Sequence, residues 1–84
     1  MMEEVIRLID FINRICNEVE PKINTHLHIQ FFIFNSLPTV QFSYRQSNGE
    51  KIGYAYSIDQ LELSNAELSQ FRATKIAMFL IEPN

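Results

Sequence analysis

The sequence predicts an α+β fold in which a helix, a three-stranded antiparallel β-meander and a second helix follow one another (αβββα), with both helices packed on one face of the sheet. Three observations carry this. Apolar residues recur at helical spacing up to Val19, alternate with partners of period two between Leu27 and Tyr56, and return to helical spacing beyond Ser64.

In the first element Val5, Leu8, Ile12, Ile15 and Val19 are separated by steps of three and four and form one stripe, which Ile9 and Cys16 widen. Glu3 and Glu4 suit the positive end of the helix dipole, and Glu3 with Arg7 and Asp10 with Arg14 are spaced as i,i+4 pairs. Pro21 biases Glu20 away from helical geometry, so the helix is expected to end near Val19. The stripe is too short for a coiled-coil seam, and Ile6 and Phe11 lie off it.

The strands follow. Leu27, Ile29, Phe31 and Ile33 fall on one face of the first, with His28, Gln30, Phe32 and Phe34 on the other. Asn35-Ser36-Leu37-Pro38 reads as a four-residue loop, setting Ile33 opposite Val40 and Phe31 opposite Phe42. In the second strand Val40, Phe42 and Tyr44 alternate with Gln41, Ser43 and Arg45; in the third Ile52, Tyr54 and Tyr56 alternate with Lys51, Gly53 and Ala55. A two-residue turn at Asn48-Gly49 would mix polar and apolar residues on both faces. A three-residue Ser47-Asn48-Gly49 loop with Gly49 in the left-handed conformation instead sets Tyr44 opposite Ile52, Phe42 opposite Tyr54 and Val40 opposite Tyr56. The expected core face is Leu27, Ile29, Phe31, Val40, Phe42, Tyr54 and Tyr56.

Residues 57–63 contain a short helical turn, and Ser64-Asn65-Ala66-Glu67 has the form of a capping box that opens the second helix. Leu68, Phe71, Met78 and Phe79 share one side of it. Residues 76–81 are apolar nearly all round, which suits a helix and leaves a terminal strand as the alternative; Glu82-Pro83-Asn84 ends the element.

Eighty-four residues, 46% hydrophobic and 20% charged, describe a single globular domain over 1–84, whose core uses most of the apolar residues and leaves little for a deep cavity. Seven Lys and Arg against ten Asp and Glu give a net charge of -3, too small to choose a polyanionic partner. The lone Cys16 forms no internal disulfide, the opening Met1-Met2-Glu3-Glu4 is not secretory, and no apolar run approaches the roughly 20 residues that span a bilayer. A cytoplasmic protein with no membrane partner is expected.

Catalytic signals are weak. His26 and His28 project from one strand face and could share a metal, but no third ligand stands at a suitable spacing, so no metal or other cofactor is expected. Cys16 lies at the edge of an apolar stripe, where a thiol is not activated. The carboxylates are dispersed, and neither Gly49 nor Gly53 leads a helix as a phosphate-binding loop requires. The expectation is a non-enzymatic protein with no small-molecule substrate.

The order helix, three strands, helix resembles that of double-stranded RNA-binding domains, a likeness of topology. In such domains lysines at the start of the second helix meet phosphates; here that position reads Ser64-Asn65-Ala66-Glu67, with Arg72 and Lys75 two turns later. Arg45, Lys51, Arg72 and Lys75 are the residues an alternative nucleic-acid-binding function would use.

The most informative surface is the sheet face turned away from the core. It carries Phe32 and Phe34, then Thr39, Gln41 and Ser43, then Gly53, Ala55 and Ser57, while its ionisable residues His28, Arg45 and Lys51 gather at one end. Two phenylalanines among residues too short to cover them mark a contact surface, unless the apolar segment 76–81 folds over them. The expected function is docking on a protein partner or on a second copy as a homodimer, with Phe32, Phe34, Gln41, Ser43 and Ala55 as the contact residues. Small acidic inhibitors carried by phages and mobile elements to block host enzymes look similar in size and character.

Overall fold

The computed structural model describes residues 2–83. Met1 and Asn84, at the two ends of the predicted elements, lie outside the described residues. Helix α1 (Met2–Ile23) opens with Glu3 and Glu4 in its first turn, and Arg7 donates to Glu3 Oε2 at 3.1 Å. It runs one turn beyond the expected end and takes in Pro21. A proline in the final turn removes only one main-chain hydrogen bond there. Two features hold that turn: Asn24 adopts φ +60° and donates its N–H to the Glu20 carbonyl at 2.9 Å, and Ile23 packs against the core. The buried stripe is also rotated from the predicted one. Phe11, Ile15 and Val19 are buried, whereas Val5 and Ile9 are half exposed. Phe11 is drawn inward by Tyr56, whose ring centroid lies 4.9 Å from its own.

Strands β1 (His28–Phe34), β2 (Leu37–Arg45) and β3 (Lys51–Ser57) form one antiparallel sheet in the order β1-β2-β3. The β2–β3 register is the predicted one, with Tyr44 opposite Ile52, Phe42 opposite Tyr54 and Val40 opposite Tyr56. Gly49 sits at φ +90°, and the Gln46 N–H meets the Glu50 carbonyl at 2.8 Å to close the bulged loop.

The β1–β2 hairpin corrects the prediction. Its loop has two residues, Asn35 at φ +50° and Ser36 at φ +64°, which is a type I′ turn whose twist matches the strands it joins. Leu37 and Pro38 therefore open β2, and the register slides by two: Ile33 lies opposite Pro38, Phe31 opposite Val40 and Ile29 opposite Phe42. A slide of two keeps every side chain on its predicted face. Pro38 is tolerated because β3 ends at Ser57, opposite Thr39; the proline nitrogen faces the side where pairing has run out, while its carbonyl accepts from the Ile58 N–H at 2.9 Å.

Helix α2 (Gln60–Leu63) is capped by Asp59, whose Oδ1 accepts from the N–H groups of Leu61 and Glu62. Helix α3 (Ala66–Ile81) includes residues 76–81 throughout. Its cap is Asn65 rather than Ser64: Asn65 Oδ1 accepts from the Leu68 N–H at 3.1 Å, and Ser64 instead closes α2 by donating to the Leu61 carbonyl. Leu68, Phe71, Met78 and Phe79 do share one side of α3, but it is the outward one. The buried side is Ala73, Ile76, Ala77 and Leu80. Small residues there let α1 and α3 lie closely side by side, which bulky rings would prevent.

The resulting α+β layer buries one cluster in which Phe11, Ile15 and Val19 of α1 meet Val40, Phe42, Tyr44, Ile52 and Tyr56 of the sheet and Ile76 and Leu80 of α3. Two tyrosines tie the layers together. Tyr44 donates to the Leu80 carbonyl at 2.6 Å, and Tyr56 donates to Glu62 Oε1 at 2.8 Å. Glu62 also takes the Arg72 guanidinium at 3.3 Å. Because α3 lies against β3, the helices cover the β2–β3 side of the sheet better than the β1 side. Phe31, expected in the core, is consequently 59% exposed, and Ile29 and Tyr54 are only half-buried. No helix among the described residues is long and apolar enough to cross a membrane.

Candidate functional site

The outer sheet face is assembled by the observed register into cross-strand rows. From the β1–β2 turn inward they are Phe34 with Leu37; Phe32, Thr39 and Ser57; Gln30, Gln41 and Ala55; His28, Ser43 and Gly53; and finally Arg45 with Lys51. The face thus grades from apolar through amide to cationic. No helix folds over Phe32 and Phe34, which are 36% and 59% exposed. Of the other expected contact residues, Ala55 is exposed and Gln41 half-exposed, but Ser43 is buried and offers a partner no surface. It is small, in the central strand and enclosed by its neighbours. Gln41 leans across the same region, its Nε2 only 3.2 Å from where a Cβ on Gly53 would stand.

The slide of two exposes more than the outer face. Since β3 stops opposite Thr39, the turn end of β1–β2 extends beyond the third strand with both faces bare. Phe31 and Ile33 are exposed on the inner side, and Phe34 and Leu37 on the outer. Phe31, Phe32, Ile33, Pro38, Thr39 and Ile58 line a depression of about 290 Å³ there. Sequence reasoning missed Leu37 and the inner pair because it assigned Leu37 to the loop, Phe31 to the core and Ile33 to the same inward face opposite Val40. The Asn35-Ser36 pair was the available signal, since asparagine adopts positive φ more readily than most residues and serine is common in turns.

The basic residues of the alternative reading divide between two elements. Arg45 and Lys51 stand opposite each other beside the β2–β3 loop, where Arg45 donates to the Gly49 carbonyl at 2.9 Å. Arg72 and Lys75 are on α3. Arg72 is held by Glu62, whose hydrogen bond and charge raise the guanidinium pKa further, and the Lys75 ammonium lies 5.4 Å from the Phe71 ring centroid.

Ionisable groups that meet elsewhere are occupied structurally. Burial first, and then the Glu62 carboxylate, push the Tyr56 phenol well above its ordinary range, so it serves as a fixed donor. Burial, with a smaller contribution from the Glu20 charge, raises the Cys16 thiol. His26 and His28 are both exposed, and His26 Nδ1 lies 3.5 Å from Glu20 Oε1. Among the described residues no three His, Cys, Asp or Glu side chains converge as a metal site would require. The depression of about 510 Å³ between the ends of α1 and α3 and strand β2 has Lys22 and Arg45 as its charged residues, while the Tyr44 hydroxyl beside them is committed to Leu80.

No protein-family model, no curated protein and no solved structure matches this chain.

Proposed function

We propose that the protein is a non-enzymatic binding domain that docks on a protein surface through the apolar turn end of its sheet. The observation that carries this reading is the concentration of Phe31, Ile33, Phe34 and Leu37, each at least half exposed, on one overhanging hairpin with no charged side chain among them. A patch of this kind, graded into polar residues such as Gln30 and Gln41, has the anatomy of an interface centre with its rim. Phe32 and Phe34 supply aromatic anchors, and Gln41 and Ala55 the surrounding contacts. An inhibitor that acts by covering part of an enzyme is one form such a domain takes, and its small size suits that use.

Replacing Phe34 with a photo-crosslinking residue tests the proposal. The expected result is one saturable polypeptide adduct, lost when Phe32→Ser is added and absent when the crosslinker replaces the exposed Glu18 of α1. Labelling at Phe34 no greater than at Glu18 would overturn the reading.

A further inference from the structure

We propose that the partner is a second copy of this chain, paired antiparallel along the free edge of β1 about a two-fold axis at Phe31 to give a continuous six-stranded sheet with all helices on one side. This names the partner of the docking surface above and rests on that reading.

The main chain supplies the first argument. A two-residue type I′ turn makes its flanking pair, Phe34 and Leu37, hydrogen-bonded, and alternation then turns Phe32, Gln30 and His28 toward β2. The N–H and C=O groups of Ile29, Phe31 and Ile33 consequently face outward. Leu27 is in the same phase, and its N–H is already taken by Glu20 Oε2 at 2.8 Å, which closes the edge at that end. Among the described residues nothing takes the outward groups of the next three in phase.

An edge of this kind is ordinarily protected by lysine, proline, a bulge or an overlying element. The strand His-Ile-Gln-Phe-Phe-Ile-Phe has no such charge, no proline and an unbroken register. The opposite edge differs: β3 begins with Lys51, contains Gly53 and lies against α3, with Phe79 edge-on to Tyr54 at 5.5 Å. One sticky edge and one protected edge give a closed pair rather than an open fibre.

The strand is also complementary to itself. Centred on Phe31, the two-fold sets Phe31 opposite Phe31, Ile29 opposite Ile33 and Gln30 opposite Phe32 of the second copy, with no like charges facing. The outward groups of Ile29, Phe31 and Ile33 then match one another in about six hydrogen bonds. Helix α1 contributes as well. Its Arg7, Asp10 and Arg14 flank borders Leu63, Ala66 and Ser69, so Val5, Ile9 and Ile12 occupy the opposite flank, the one from which Glu20 reaches Leu27 at the start of β1. Phe31, Ile33 and Phe34 with Val5 and Ile9 are each at least half exposed, which amounts to on the order of 500 Å² per copy when a phenylalanine presents about 200 Å². Together with the strand main chain this approaches the roughly 800 Å² per partner of a standard interface.

Size-exclusion chromatography with light scattering over a concentration series is expected to give about twice the 9.9 kDa chain mass. Phe31→Lys puts like charges face to face at a position that is more than half exposed, so it should leave the circular dichroism spectrum unchanged while raising the dimer dissociation constant about a hundredfold. Disulfide trapping then reads the register in a Cys16→Ser background. Phe31→Cys should cross-link to itself, because facing Cα atoms of such a pair lie about 5.5 Å apart. Ile33→Cys should not, its twin being roughly 13 Å along the strand. A mass of one chain at every concentration, a mass above two chains, a dimer indifferent to Phe31→Lys, or equal trapping at both positions would each overturn the proposal. A monomer that still forms the Phe34 adduct with a different polypeptide ends this inference and leaves the docking reading standing; a monomer with no adduct ends both.

Discussion

Changing Tyr44 to Phe removes one oxygen atom and nothing else from the centre of the fold. That oxygen donates to the Leu80 carbonyl at 2.6 Å, and Leu80 lies in the last turn of α3, where carbonyls have no partner within their own helix. Leu80 is fully buried, so water does not replace the lost donor without rearrangement. The expected cost is that of a buried unsatisfied acceptor, about 1.5–2 kcal/mol within the usual range of about 1–3. For a chain of 84 residues this lowers the melting temperature by about 10 °C and the urea midpoint by about 1.5 M, with the denaturant slope unchanged. Calorimetry and urea titration at one fixed protein concentration measure both, the fixed concentration removing any contribution from self-association. A melting temperature within about 2 °C of wild type would refute the reasoning, since it would mean that the tyrosine hydroxyl does not join the central strand to α3.

Gly49→Ala places a Cβ in open space but at φ +90°, so the loss of about 1–2 kcal/mol expected in a urea titration comes from backbone strain alone; an unchanged midpoint would show that the loop has another conformation. Phe42→Ala should cost about 3–5 kcal/mol and Phe34→Ala about 1 kcal/mol or less, because Phe42 is wholly buried and Phe34 is more than half exposed; equal costs in paired melts would contradict the exposed hairpin end. The Cys16 thiol, raised by burial and by Glu20, is expected to alkylate several-fold more slowly at pH 8 in the folded protein than in urea. With its folded pKa above the unfolded one, its contribution to stability is complete below about pH 9 and falls as pH rises further, and a melting temperature that climbed through that window would reverse the sign.

The order of elements and the β2–β3 register were legible because each is fixed by a local pattern with one consistent solution, whereas residues 76–81, apolar nearly all round, fitted a helix or a terminal strand and the structure makes them helix. Pairing Tyr44 with Ile52 was the only phase that kept polar and apolar residues on separate faces, and Gly49 could supply the conformation that this phase requires. What was not legible depended on distant contacts. Pro21 and Pro38 read as terminators by their chemistry alone, yet each sits where one missing N–H matters little: the final turn of α1, and the stretch of β2 beyond the end of β3. Which stripe of α3 faces inward was decided by the close approach of α1, and that selected Ala73 and Ala77 over the larger Phe71 and Met78. Which side chains share the outer face was read correctly, although Ser43 and Thr39 on it are buried. Its reach was underestimated, because Phe31, Ile33 and Leu37 become surface only once the length of the first turn is known.

That turn has a consequence of its own. Moving two residues from strand to loop, or back, slides one strand past the next without flipping any side chain, and the protruding lip loses or gains two paired positions, one on each face. The compact Asn35-Ser36 connection makes the lip long. A four-residue turn made of residues 35–38 would take Leu37 and Pro38 out of the ladder and leave no paired position beyond Thr39, so the same amino acids would present a shorter apolar end through geometry alone.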